Sequence, residues 1–216
     1  LVRKYLKNHN FTGFKKLFSL RNYNTHSEKK YEHLEPWIQW YSFYTGLNLK
    51  QHKVYHLGDS LKNNHKTFLD ESCDEGLKVG TFGSMNLKPH NKFEVFIPDP
   101  WSEAISDKSL SSRIVTKTMK KIVNKNANLK INIYDLLGII IMIGIPNSVK
   151  KFNIVFKSIL SFVLKKRYSL ASYFDYIFCN YSLKQIKNKK LDLSLIFLNG
   201  FAHVQHHYML SSHNVK

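Results

Sequence analysis

The sequence is short of cysteine, arginine and acidic residues, and each shortage excludes a class of protein. Its two cysteines, Cys73 and Cys179, lie far apart in the chain, which excludes a disulfide scaffold and a zinc site built from cysteines. Because thiols are few and no secretory signal opens the sequence, we expect a cytoplasmic protein. The first residue is Leu1 rather than a methionine, so we also expect a fragment or a processed product.

Long hydrophobic runs are lacking as well. The longest, Leu136–Ile145, contains ten residues and is followed by Pro146. A helix that crosses a bilayer needs about 20 apolar residues. We therefore expect no integral membrane segment.

Negative charge is scarce, since 15 acidic residues face 33 lysines and arginines and the formal net charge is +18. Such a balance points first to nucleic acid or to an anionic membrane. Only four of the cations are arginine, the side chain that reads bases, so nucleic acid is not the expected partner. Lysine, asparagine and isoleucine are all abundant, so a compositional bias and an anion-binding surface both stay open. Peripheral contact of basic amphipathic helices with a membrane stays open too.

The first half of the sequence alternates between helical and strand patterns. The aromatic residues of 37–44 recur at helical spacing and predict a helix that ends at Gly46. Apolar stretches predict strands at 53–57, 77–82 and 93–97, with a helix over 61–75. This alternation is typical of an α/β fold with a largely parallel sheet flanked by helices.

The second half predicts helices almost throughout, until the apolar run 191–198 returns to strand. We therefore divide the chain into residues 1–102, the first part of an α/β domain; 103–190, an all-helical insertion; and 191–216, the return to the α/β domain.

Three histidines follow that last predicted strand: His203, His206 and His207. Ligands of open α/β sheets bind at the carboxyl ends of the strands, and histidine is the commonest ligand of zinc. On a helix, His203 and His207 share one face and could hold one metal ion between them. The alternative interpretation is that these side chains are polar surface or capping groups.

Three segments carry a resemblance to a known family: EPWIQWYSFYTGLNLKQHKV at residues 35–54, LKVGTFGSMN at 77–86 and LDLSLIFLNGFAHVQHHYML at 191–210. They resemble the alkaline phosphatase superfamily, and within it the type I phosphodiesterase and nucleotide pyrophosphatase branch. The positions that match the early helix motif of that branch are Ser42, Thr45, Gly46, His52 and Val54. In the branch, a strand leads to an Asp-x-x-x-His pair of metal ligands, where this chain has His203 and His207.

The resemblance implies an α/β/α sandwich, incomplete in this chain, and a site for two divalent metal ions of the zinc type. It also implies His203 and His207 as metal ligands. His206, Glu35 and Asn199 are candidates for contact with substrate or for support of the ligands, and Glu35 is alternatively a helix cap. The branch has a threonine or serine nucleophile ten residues before the matched glycine, where this chain has Pro36, so the nucleophile is unknown.

The resulting hypothesis is a metal-dependent phosphodiesterase or phosphatase-like hydrolase that acts on a phosphorylated small molecule or a glycan-like substrate. One alternative is a catalytically inactive relative that binds a polyanion or a glycan intermediate, as the missing hydroxyl at Pro36 favours. The other is a basic protein that binds nucleic acid or a membrane surface.

Overall fold

A computed structural model describes residues 12–21, 28–124, 138, 140–142, 153, 167–200 and 202. The chain divides into two compact units, Leu1–Leu34 and Glu35–Lys216. The first contains helix α1, Thr12–Ser19, and a 3-10 turn at Tyr31–His33. The second contains the sheet and the other helices.

A three-stranded parallel sheet lies in the second unit. Its strands are β1 (Val79–Ser84), β2 (Val95–Pro98) and β3 (Leu193–Ile196), in the order β2-β1-β3. Both pairings of β1 are parallel. The expectation of a mixed α/β protein with a parallel sheet is therefore confirmed. Every residue of β1 and β2 is buried, whereas β3 is only half-buried, although β2 and β3 both lie at an edge of this sheet.

The helices of this unit are α2 (Pro36–Thr45), α3 (Leu49–His52), α4 (Phe68–Asp74), α5 (Leu110–Asn124) and α6 (Arg167–Lys189). Helix α2 begins at a proline, which needs no amide hydrogen there, and ends at Gly46 with a left-handed φ of 68°, as the sequence predicts. No helix in the described ranges is both long and apolar enough to cross a bilayer.

Helices cover both faces of the sheet. Alternate residues of β2 point to opposite sides, so Phe96 packs with Tyr41 and Leu69 of α2 and α4, while Val95 and Ile97 pack with α5 and α6. The hydrophobic cluster on the side of α5 and α6 also contains side chains that are almost fully buried: Phe82, Val115, Met119, Phe178 and Tyr181. Burial on both sides explains why β2, Val95–Pro98, is apolar throughout rather than alternating, whereas β1 also buries the polar side chains of Thr81 and Ser84.

Gly83 produces a bulge near the carboxyl end of β1. The pairing with β2 shifts register between Phe82 and Ser84, and Gly83 has a φ of +71°. A Cβ at this position would lie 3.2 Å from a ring carbon of Phe178. The bulge thus redirects the chain that leaves β1 and requires glycine.

The predicted strand at 53–57 is wrong. Lys53 ends helix α3 with a left-handed φ of 54°, and the amides of Tyr55 and His56 donate to the carboxylate of Asp59. Local side chains thus take the hydrogen bonds that a strand would need. The predicted helix over 61–75 is shorter than expected, because Thr67 and Asp70 form a capping box that begins α4 at Phe68.

Asp74, at the end of α4, is expected to titrate abnormally. Hydrogen bonds from the ammonium groups of Lys66 and Lys92, at 2.8 and 2.7 Å, hold the pKa of Asp74 at about 2. Since the pKa is lower in the folded chain, the stabilisation is complete above about pH 4 and disappears as the pH falls through about 2. NMR titration of the carboxyl carbon, with Asp74→Asn to assign the signal, measures this. A midpoint near 4 at low salt would contradict it.

Candidate functional site

A cavity of about 500 Å³ lies where the carboxyl ends of the three strands meet the first turn of α2. Its lining residues are Pro36, Trp37, Trp40, Leu57, Met85, Trp101, Phe197, Leu198, Asn199 and Ala202. Ligand sites of open α/β sheets occupy this position, and their volumes are of this order. The cavity is therefore the candidate functional site.

Aromatic side chains dominate this cavity. The sequence has three tryptophans, and all of them line it: Trp37, Trp40 and Trp101. The rings of Trp40 and Phe197 meet edge to face, with centroids 5.4 Å apart. The indole nitrogen of Trp37 donates to the carbonyl of Tyr55 at 3.0 Å, which holds that ring in place. The cavity thus has largely apolar, aromatic walls, and one of their indole rings is held by a hydrogen bond.

Asp99 joins the ends of β1 and β2 beside the cavity. Its side chain is fully buried. One carboxylate oxygen accepts from the amides of Trp101 and Ser102, at 2.9 and 2.7 Å, and the other accepts from the amide of Asn86 at 2.9 Å. These three bonds fix the turn that follows β2.

Asn86 connects the same edge to the loop that contributes Leu57. Its side-chain oxygen accepts from the amide of Gly58 and the hydroxyl of Ser60, both at 2.9 Å. Its amide nitrogen donates to the carbonyl of Trp37 at 3.3 Å. Nothing in the sequence singles out Asn86, because its partners are up to 49 residues away.

Asp175 of helix α6 anchors the chain that leaves β3. Its carboxylate accepts from the backbone amides of Asn199 and Gly200, the two residues that lead to Ala202. Hydrogen bonds from backbone amides to a carboxylate are stronger than those between neutral groups. Asp175 therefore helps to determine where the wall formed by Phe197, Leu198 and Asn199 lies. The sequence gives no signal for this role.

Ser42 and His52, which match the family motif, form a hydrogen-bonded pair. The Ser42 hydroxyl lies 2.9 Å from Nε2 of His52, whose ring is buried. Nδ1 of His52 accepts from the amide of Val54 at 3.0 Å, so the ring proton is on Nε2 and points at Ser42. In this arrangement His52 cannot take a proton from Ser42, so the pair connects α2 to the segment after α3 rather than forming a nucleophile with its base.

The predicted site residues fall into two groups. Asn199 and Pro36 line the cavity, and Glu35 precedes Pro36 as a half-buried residue whose side chain does not cap α2. His203, His206 and His207 lie outside the described residues. Ala202, the residue before His203, lines the cavity. Across the residues that the structure does describe, no group of three or more histidine, cysteine or acidic side chains could hold a metal ion.

Comparison of the chain with protein-family models, with curated proteins and with solved structures finds no match. The geometry of the cavity and the chemistry of the residues around it are therefore the observations that bear on function.

Proposed function

We propose that this chain is a metal-dependent phosphoric ester hydrolase of the phosphodiesterase or phosphatase type, with an alkaline phosphatase-like α/β/α architecture. One observation carries the proposal. The ends of three parallel strands and the start of α2 surround one cavity, and the last described lining residue, Ala202, is followed directly by His203. The carboxyl edge of a parallel sheet is where such folds bind ligands.

Imidazole nitrogens suit zinc, and His203 and His207 are spaced to bind one ion from one helical face. Glu35 is a further candidate ligand of the metal ion, since its side chain does not cap α2. His206 and the side chain of Asn199 would contact the substrate. When bound, the metal ion would supply positive charge to the phosphoryl oxygens.

No described residue is proposed as nucleophile. Pro36 has no hydroxyl, and the Ser42 hydroxyl faces a ring proton of His52 rather than a base. The lysine-rich surface would increase the encounter rate with a phosphorylated substrate, an effect that weakens as salt is added.

Metal analysis of the purified chain tests the assignment. Wild-type protein dialysed against zinc should retain the ion and hydrolyse bis(p-nitrophenyl) phosphate. The double variant His203→Ala, His207→Ala should lose both properties. The matched control, His56→Ala with His65→Ala, removes two other imidazoles and should keep both. Equal metal content in the two double variants would refute the assignment.

A second candidate is a protein that binds a polyanion or a glycan intermediate without hydrolysing it. The aromatic walls of the cavity and the proline at the nucleophile position favour this function. A metal-loaded wild-type chain that binds a ligand saturably but shows no hydrolysis with zinc or manganese would support it over the hydrolase.

A further inference from the structure

We infer that the cavity holds an uncharged sugar ring, stacked on the indoles of Trp37, Trp40 and Trp101, so that the substrate is a glycosyl compound. This inference names the substrate class of the proposed hydrolase, and it applies equally if the chain only binds. It depends on the described walls of the cavity and on no metal ligand.

The described walls of the cavity carry no charged side chain. The chain carries 33 lysines and arginines, yet the lining within the described ranges includes neither of these, nor any acidic side chain. A phosphate held among these residues would be desolvated with no cation in the described walls to compensate it, which is costly. The cavity therefore takes an uncharged part of the ligand, and any phosphate lies outside it.

The aromatic walls suit the C–H face of a sugar ring. Tryptophan faces are broad apolar surfaces, and the C–H face of a pyranose ring is the matching apolar surface of an otherwise polar molecule. The cavity is partly open to solvent, so hydroxyl groups of a stacked ring can stay hydrated there. Asn199 offers both a donor and an acceptor at the wall.

Two other uncharged groups fit less well. An acyl chain gains most from a closed apolar tunnel, whereas this cavity leaves much of its occupant in water. A nucleobase is usually held between parallel rings and read along its polar edge. Here Trp40 and Phe197 are nearly perpendicular, at 80°, and the Trp37 nitrogen already donates to Tyr55.

Intrinsic fluorescence is a selective probe, because all three tryptophans line the cavity. The full chain would be titrated, without metal, with the methyl glycosides of glucose, galactose, mannose and N-acetylglucosamine, and with adenosine and hexanol. We expect a saturable change with at least one glycoside, at a Kd of about millimolar order, and weaker responses to adenosine and hexanol.

Variants test whether the sugar lies on the indoles. Trp101→Ala should weaken binding about tenfold, whereas Trp101→Phe, which keeps a flat ring, should stay within about threefold of wild type. Leu198→Arg is the second test: Leu198 is 44% exposed, so the change spares the core, yet it places a bulky cation in the cavity wall and should also cost about tenfold. Tyr31→Ala, at a residue 89% exposed and outside the lining, is the matched control and should bind like wild type.

Three results would overturn the inference: no saturable response to any glycoside, tighter binding of adenosine or hexanol than of every glycoside, or unchanged affinity in Leu198→Arg. Since no probe here contains phosphate and no metal is added, this outcome is separate from that of the hydrolysis test. Saturable sugar binding by the wild-type chain, together with equal metal content in the two double histidine variants, would support the inference while refuting the hydrolase.

Discussion

Replacing Asp99 by alanine is expected to destabilise the protein by about 3 to 5 kcal/mol. Asp99 accepts hydrogen bonds from three backbone amides, those of Asn86, Trp101 and Ser102, and its side chain is fully buried. Alanine would leave these donors without an acceptor where water is scarce, and each such donor costs about 1 to 3 kcal/mol. The ends of β1 and β2 would also lose their connection beside the cavity.

Urea unfolding, followed by far-UV circular dichroism, measures the free energy of unfolding of this variant. Asp99→Asn is the matched control. Its amide oxygen can still accept from Trp101 and Ser102, but its NH2 group would face the amide of Asn86, so the loss should be intermediate. A difference below about 1 kcal/mol between Asp99→Ala and wild type would show that the three bonds contribute little to stability.

Asp175→Ala is expected to lower both the stability of the fold and the affinity of the proposed metal site. Two backbone amides, of Asn199 and Gly200, would lose a charged acceptor, at a cost of about 2 to 3 kcal/mol. If the proposed hydrolase is right, the segment that leads to His203 would also be less well positioned. Loss of a group that orients metal ligands lowers metal affinity about 10- to 100-fold.

Zinc affinity is measured by competition with a chromophoric chelator, at a temperature where wild type and Asp175→Ala are both folded. The free energy of unfolding is measured on the same proteins. Asp175→Asn keeps one acceptor oxygen and should recover part of each loss. Asp192→Ala is a matched control on stability, because Asp192 also accepts from a backbone amide, that of Lys78, at the opposite end of β3. If Asp192→Ala reduced zinc affinity as much as Asp175→Ala, the effect would be general destabilisation rather than positioning.

Local signals in the sequence predict α2 and β1 well. Pro36 and Gly46 bound the helix because each satisfies a backbone requirement at its own position, and the apolar run at 77–82 marks a strand buried on both faces. The predicted strand at 53–57 is wrong because the carboxylate of Asp59 takes the amides that a strand would need. That outcome depends on a side-chain geometry which apolar spacing does not reveal.

The candidate site is predictable only in part. A candidate ligand site at the carboxyl edge of the sheet follows from the parallel topology, and Asn199 lines the cavity at that edge. The roles of Asn86 and Asp175 depend on partners 49 and 25 residues away, which only the folded chain brings together. The helical spacing of the aromatic residues of α2 does not show that Tyr41 and Tyr44 belong to the core while Trp37 and Trp40 line the cavity.

The position of β3 beside β1 has a consequence for the order of folding. The hydrogen bond from Lys78 to Asp192 closes a loop of 114 residues, so this pairing is among the most non-local contacts of the chain. Contacts of that kind form late and slow down folding. During synthesis, one edge of β1 is therefore unpaired until the ribosome has released residues beyond Ile196. In that interval the nascent chain presents an open strand edge, which chaperones commonly shield from aggregation.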